Sequence, residues 1–117
     1  MPKTALFVID IQNEMAGVGF STIIPHAERI RAAATEILKR ARNAVDTAHK
    51  ENQYPPLVLV FVQHEEPPGT GGGLIRDTEP WKLVFNPREG EGVPAERLVA
   101  KTDGRQLCRT LPFLSLT

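Results

Sequence analysis

Ala5-Leu6-Phe7-Val8-Ile9 is an uninterrupted apolar run that stops at Asp10. Such a run, with no alternation of polar residues, is the pattern of a strand covered on both faces, as in a parallel sheet. It is expected to be a central strand. From Pro25 to about Glu51, the apolar residues Ile30, Ala34, Ile37, Leu38, Ala41, Val45 and Ala48 recur at three- and four-residue steps. That spacing predicts a long amphipathic helix, with Pro25 near the first turn, where a missing N–H costs nothing. Arg31, Lys39, Arg42, Asp46 and Lys50 form its opposite face, expected to be solvated. Asp46 and Lys50 stand four apart, a favourable pair contributing about 0.3 kcal/mol. Asn52 to Pro56 carry turn chemistry, and Leu57-Val58-Leu59-Val60-Phe61-Val62 predicts a second fully buried strand. Strand, helix and strand in this order make a right-handed βαβ unit.

Beyond Val62 the pattern changes. Gln63-His64-Glu65-Glu66 is expected to leave the sheet at the edge where Asp10 emerges, because parallel strands carry their equivalent ends to one side. A cleft there is the predicted site. Pro67 to Gly73 is too rich in proline and glycine for regular structure and reads as a flexible loop. Its run Gly69-Thr70-Gly71-Gly72-Gly73 lacks a Gly-Lys-Ser/Thr ending, and Leu74 fills the last glycine position of the dinucleotide pattern. A nucleotide-binding module is therefore disfavoured. Glu79-Pro80-Trp81-Lys82-Leu83 predicts a short helix, and Glu96 to Lys101 a third, shorter strand. No internal repeat or second domain is legible, so residues 1–117 read as one α/β domain.

Composition narrows the classes. Hydrophobic residues make up 41% and charged residues 24%, and 14 basic side chains balance 14 acidic ones for a net charge of zero. Neither a nucleic-acid nor an anionic-membrane partner is expected, because counterion release needs a cluster of unbalanced Lys and Arg. The one cysteine, Cys108, has no intramolecular partner for a disulfide, and Met1-Pro2-Lys3-Thr4 opens no signal peptide or membrane span. A reducing, cytoplasmic location is the expectation.

Asp10 is the leading candidate for chemistry. A carboxylate at the carboxyl end of a buried parallel strand sits where such sheets deliver side chains to a site, and there it suits acid/base work. Alone it would read as a turn or capping carboxylate, but Gln12 and Asn13 follow it, and Leu98-Val99-Ala100-Lys101 ends a distant apolar run in an ammonium. Together, the segment from Ala5 to Asn13 and the strand ending in Lys101 resemble the isochorismatase-like hydrolases, over about residues 4 to 104. The resemblance implies a three-layer α/β/α, Rossmann-like parallel sheet. It implies that Asp10 accepts the proton of a nucleophilic thiol and that Lys101 stabilises the ionised partner and the charge developing on the substrate oxygen. Gln12, His64 and Trp81 are expected to line the substrate pocket. Nicotinamidases, relatives in the same superfamily, hold zinc with an Asp and two His after the second strand. Here His64 is followed by Glu65-Glu66, so neither a metal nor another cofactor is expected.

The family's cysteine lies beyond a further strand–helix–strand passage in a pattern like Gly-x-x-Thr-x-x-Cys, which this sequence does not contain. Cys108, seven residues after Lys101, has Arg105 and Arg109 nearby but no sign of the helix amino terminus that would populate a thiolate. Residues 105–117 read as a divergent tail and the chain as a member truncated at its carboxyl side. The expected function is hydrolysis of a C–N bond in a small amide through an acyl-enzyme intermediate. The alternatives are vinyl-ether hydrolysis of the isochorismate type, which needs no thiol, and an inactive fragment that binds a full-length relative. A small-molecule substrate and a homo-oligomer are the expected partners.

Overall fold

The apolar run at residues 5–9 is a strand and the periodic segment after it a long helix, as their patterns predict. The computed structural model describes residues 4–20, 24–69 and 71–102. In chain order they form β1 (Ala5–Ile9), α1 (Asn13–Ala16), α2 (Ala27–Lys50), β2 (Val58–His64), a single 3-10 turn (Glu79–Trp81) and β3 (Arg97–Lys101). Cys108 and the tail at 105–117 lie outside the described residues. Both strand pairings are parallel, in the order β1-β2-β3, with Ala5 opposite Val58 and Val60 opposite Arg97.

Two clusters bury the sheet. On one face Leu38, Ala41 and Val45 of α2 pack against Val8, Leu59, Phe61 and Leu83. The other face gathers Val60, Val62 and Val99 with the partly buried Ala5, Phe7 and Val58. Val60, Phe61 and Val62 are fully buried, which is why the second run carries no polar residue until Gln63.

Several expectations need correction. Among the described residues β1 ends the strand order and β2 takes the centre, so Ile9 is 46% exposed. β2 continues through Gln63 and His64 instead of ending at Val62, because β3 pairs alongside it as far as His64 opposite Lys101. The helix expected at 79–83 is only a 3-10 turn, and the four-residue helix α1 has no apolar periodicity to announce it. Ile37, assigned to the core stripe, is 52% exposed.

The polar face of α2 is also less solvated than expected. Arg31 Nη1 donates to the carbonyls of Ala16 and Gly17 at 2.6 and 2.9 Å, satisfying carbonyls left open at the end of α1. Asp46 pairs with Arg88 rather than Lys50, accepting from Nη1 and Nη2 at 3.0 Å each. Arg42 donates to both Glu96 oxygens, at 2.7 and 2.9 Å, while its guanidinium lies 5.8 Å from the Phe61 ring centre. The Arg88 amide and Nε also donate to Glu96, at 2.9 and 3.1 Å. This network ties α2 to the segment entering β3. Among the described residues no helix is long and apolar enough to cross a membrane.

Candidate active site

Three strand ends build the site. β1 delivers Asp10, the last residue of β2 is His64, and the last residue of β3 is Lys101. Lys101 is 9% exposed, and its Nζ donates to Asp10 Oδ2 at 3.1 Å, reaching across the end of β2. The same Nζ lies 3.4 Å from His64 Nδ1. An ammonium has only hydrogens to offer, so this contact is a hydrogen bond in the imidazole tautomer that carries its proton on Nε2. The other carboxylate oxygen, Asp10 Oδ1, is buried without a hydrogen-bond partner. That open acceptor is the atom of Asp10 left to take a hydrogen bond from a bound group.

Backbone conformation decides how Asp10 gets there. Ile9 opposes Val62, so a regular strand would put position 10 level with Gln63, on the face opposite His64 and Lys101. Instead Asp10 adopts φ 57, in the left-handed region, while its amide still donates to Val62 O at 3.0 Å. The alternation breaks there and the carboxylate turns toward Lys101. Asp is among the few non-glycine side chains that tolerate this conformation.

Gln12 holds the turn that follows. It is fully buried; Nε2 donates to His64 O at 2.9 Å and to Trp81 O at 2.7 Å, and Oε1 accepts from the His64 amide at 2.9 Å. The side chain pairs with both backbone groups of His64 as a neighbouring strand would. Both amide hydrogens of Gln12, which the sequence leads us to expect at the substrate pocket, are engaged by main-chain carbonyls. Gln63 Nε2 also donates to Trp81 O, at 3.1 Å, and Asn13 Nδ2 to Glu79 O at 3.0 Å, fixing the 3-10 turn. These two bracing roles had no signal in the sequence, because their partners are main-chain carbonyls more than fifteen residues away.

Asp10, His64 and Lys101 are thus brought together, and the Trp81 carbonyl is tied to Gln12 and Gln63. Trp81 lines a recess of about 420 Å³ with Gln63, Leu83 and Leu98. Among the described residues no group of three His, Cys, Asp or Glu is placed to share a metal ion. The position between Asp10 Oδ2 and His64 Nδ1 is taken by the Lys101 ammonium.

The crystal structure of an isochorismatase-like hydrolase from Alkaliphilus metalliredigens is similar to this chain, with a TM-score of 0.62 at 20% sequence identity. The match covers 86% of this chain. The fold is that of an isochorismatase-like hydrolase. It is an α/β fold built on a parallel sheet, as the sequence implied. This chain spans about half of the solved protein, 49% of its length being matched. No protein-family model matches the chain, and no curated protein matches it.

Proposed function

We propose that this chain supplies the Asp–Lys portion of a hydrolase site that cleaves the C–N bond of a small amide. The observation that carries the reading is the 3.1 Å contact between Lys101 Nζ and Asp10 Oδ2, made across β2 by residues 91 apart in sequence. The Lys101 side chain is 10% exposed and that of Asp10 32%, so the ammonium gives up most of its hydration to stand beside the carboxylate, and a site needs a base and a fixed positive charge side by side. The isochorismatase-like fold supports the same reading by analogy.

The roles are those the resemblance implies, and the Asp10–Lys101 contact supports them. The thiol of the family's Gly-x-x-Thr-x-x-Cys pattern, which this sequence does not contain, would give its proton to Asp10 Oδ1 as the sulfur forms a bond to the amide carbon. The remaining N–H of Lys101 stabilises the negative charge that gathers on the carbonyl oxygen. The C–N bond breaks as the proton passes to the leaving amine, and water then hydrolyses the thioester to the carboxylic acid and the free thiol. Vinyl-ether hydrolysis is the second reading, favoured by the same Asp10–Lys101 contact because that chemistry runs without a thiol.

Asp10→Asn and Lys101→Ala test the assignment on the full chain. With a panel of small amides and vinyl ethers as substrates, each variant is expected to lower kcat by about 10²-fold or more. Near-normal turnover in either variant removes that residue from the mechanism. A wild-type chain that turns over neither class leaves the non-catalytic, partner-binding alternative in place of the enzyme reading.

A further inference from the structure

We propose that His64 is a positioning residue for the Lys101 ammonium, accepting through Nδ1, and that Gln12 holds it in that role. Four observations converge on it. His64 Nδ1 lies 3.4 Å from Lys101 Nζ, and Asp10 Oδ2 lies 3.1 Å from the same nitrogen, so two acceptors on different strand ends share one ammonium. A lysine side chain has four rotatable bonds, and one acceptor leaves Nζ free to swing about it; a second removes most of that freedom. His64 closes β2 directly opposite Lys101, the last residue of β3. Its amide and carbonyl are both held by the fully buried Gln12 carboxamide, at 2.9 Å each.

The consequence is a chain of constraint from Gln12 to the His64 backbone, from the His64 ring to Lys101, and from Lys101 to Asp10. Two of the three Nζ hydrogens are directed at protein acceptors, and the third is left with a fixed direction for a substrate oxygen. The Nε2–H form of His64 is required throughout, because a proton on Nδ1 would face the ammonium with a second donor. His64 therefore acts through Lys101 and need not touch the substrate.

Two independent measurements test this. The kinetic one rests on the hydrolase reading above, and the spectroscopic one does not. In a ¹⁵N-labelled full chain, the His64 ring is expected to show the Nε2–H form with a hydrogen-bonded Nδ1. In Lys101→Met the Nδ1 resonance should move to that of an unbonded acceptor, while the His64 backbone amide stays in place. A ring protonated at Nδ1, or an Nδ1 signal indifferent to the loss of Lys101, overturns the proposal.

For activity, His64→Ala is expected to lower kcat by about 10²-fold with little change in KM, the effect of letting a reacting group drift by about an ångström. His64→Asn, whose Oδ1 takes the place of Nδ1, should recover most of that loss. His64→Gln, whose amide group corresponds to Nε2, should not. Rescue by Gln instead of Asn would mean that Nε2 contacts the substrate directly, and the positioning role would be wrong. If the wild type shows no turnover but the spectroscopic result holds, the hydrolase reading fails and the His64–Lys101 contact stands.

Discussion

Asp10 and Gln12 show how much a single side chain decides here. Asp10 sits at φ 57, a conformation that costs most residues of order 1 kcal/mol or more, and in return its carboxylate meets Lys101 rather than facing the side of Gln63. Gln12 makes three hydrogen bonds inside a fully buried environment, two to His64 and one to Trp81. Replacing it by alanine removes the partners of the His64 amide and carbonyl, while the Trp81 carbonyl keeps its bond from Gln63. Each unsatisfied group costs about 1–3 kcal/mol, so Gln12→Ala should destabilise by about 3 kcal/mol after some relaxation. Urea denaturation would show this as a lower midpoint at unchanged slope. Gln12→Glu is the sharper probe, because a carboxylate keeps the acceptor facing the His64 amide but turns both carbonyl contacts repulsive. It should be the less stable of the two variants at neutral pH.

At the scale of elements, the placement of β3 depends on Glu96. Its side chain is 3% exposed and is surrounded by Arg42 of α2 and by Arg88. Burial alone would raise the Glu96 carboxyl, but hydrogen bonds from Arg42 and from the Arg88 amide, with the charge of Arg42 and a hydrogen bond from the Arg88 side chain, hold it below its ordinary value of 4.5. A carboxyl depressed in the folded state contributes stability that is complete above its unfolded value and is lost as pH falls through the folded one. Acid should therefore loosen the α2–β3 connection below about pH 4.5. Glu96→Gln is expected to lose about 2 kcal/mol at pH 7, the scale of a charged hydrogen bond, and to show a flatter fall in stability below pH 5. Urea midpoints measured from pH 3 to 7 would separate the two curves; parallel curves would mean that Glu96 does not drive the acid response. Asp46, lowered chiefly by its hydrogen bond from Arg88, titrates in the same direction but is far more exposed, so Glu96 should dominate.

For the whole molecule, the open question is what meets β1. Among the described residues its outer edge is unpaired, and it carries no charge or proline that would discourage another strand. Beside it runs an apolar groove of about 340 Å³, lined by Leu6, Val8, Ile9, Ala34 and Ile37. Ile9 and Ile37 are about half exposed. Such an edge favours self-association, the homo-oligomer expected from the sequence. Sedimentation velocity of the full chain should show a mass that rises with concentration. Ile9→Lys, which places a charge on that edge, should lower it; a monomer at every concentration, with a single cooperative melt, would exclude self-association through β1.

Much of this was legible in the order of residues. Two unbroken apolar runs separated by a helical period specify a parallel βαβ unit, because only strands covered on both faces need no polar positions. That topology carries the ends of β1, β2 and β3 to one edge, and together with the resemblance to the isochorismatase-like hydrolases it made Asp10, His64 and Lys101 candidates. The sequence did not decide their geometry. A period of two would send Asp10 to the wrong face, and only the left-handed turn, set by the pairing of Val62 and the grip of Gln12, brings it to Lys101. Nor did the helical pattern reveal that Arg31, Arg42 and Asp46 reach partners rather than water, since those partners come from distant loops. Local pattern depends on neighbours a few residues away and can be read along the chain. Contacts between residues fifty or ninety apart depend on how strand ends, turns and buried polar groups satisfy one another, and that is settled only when the chain has folded.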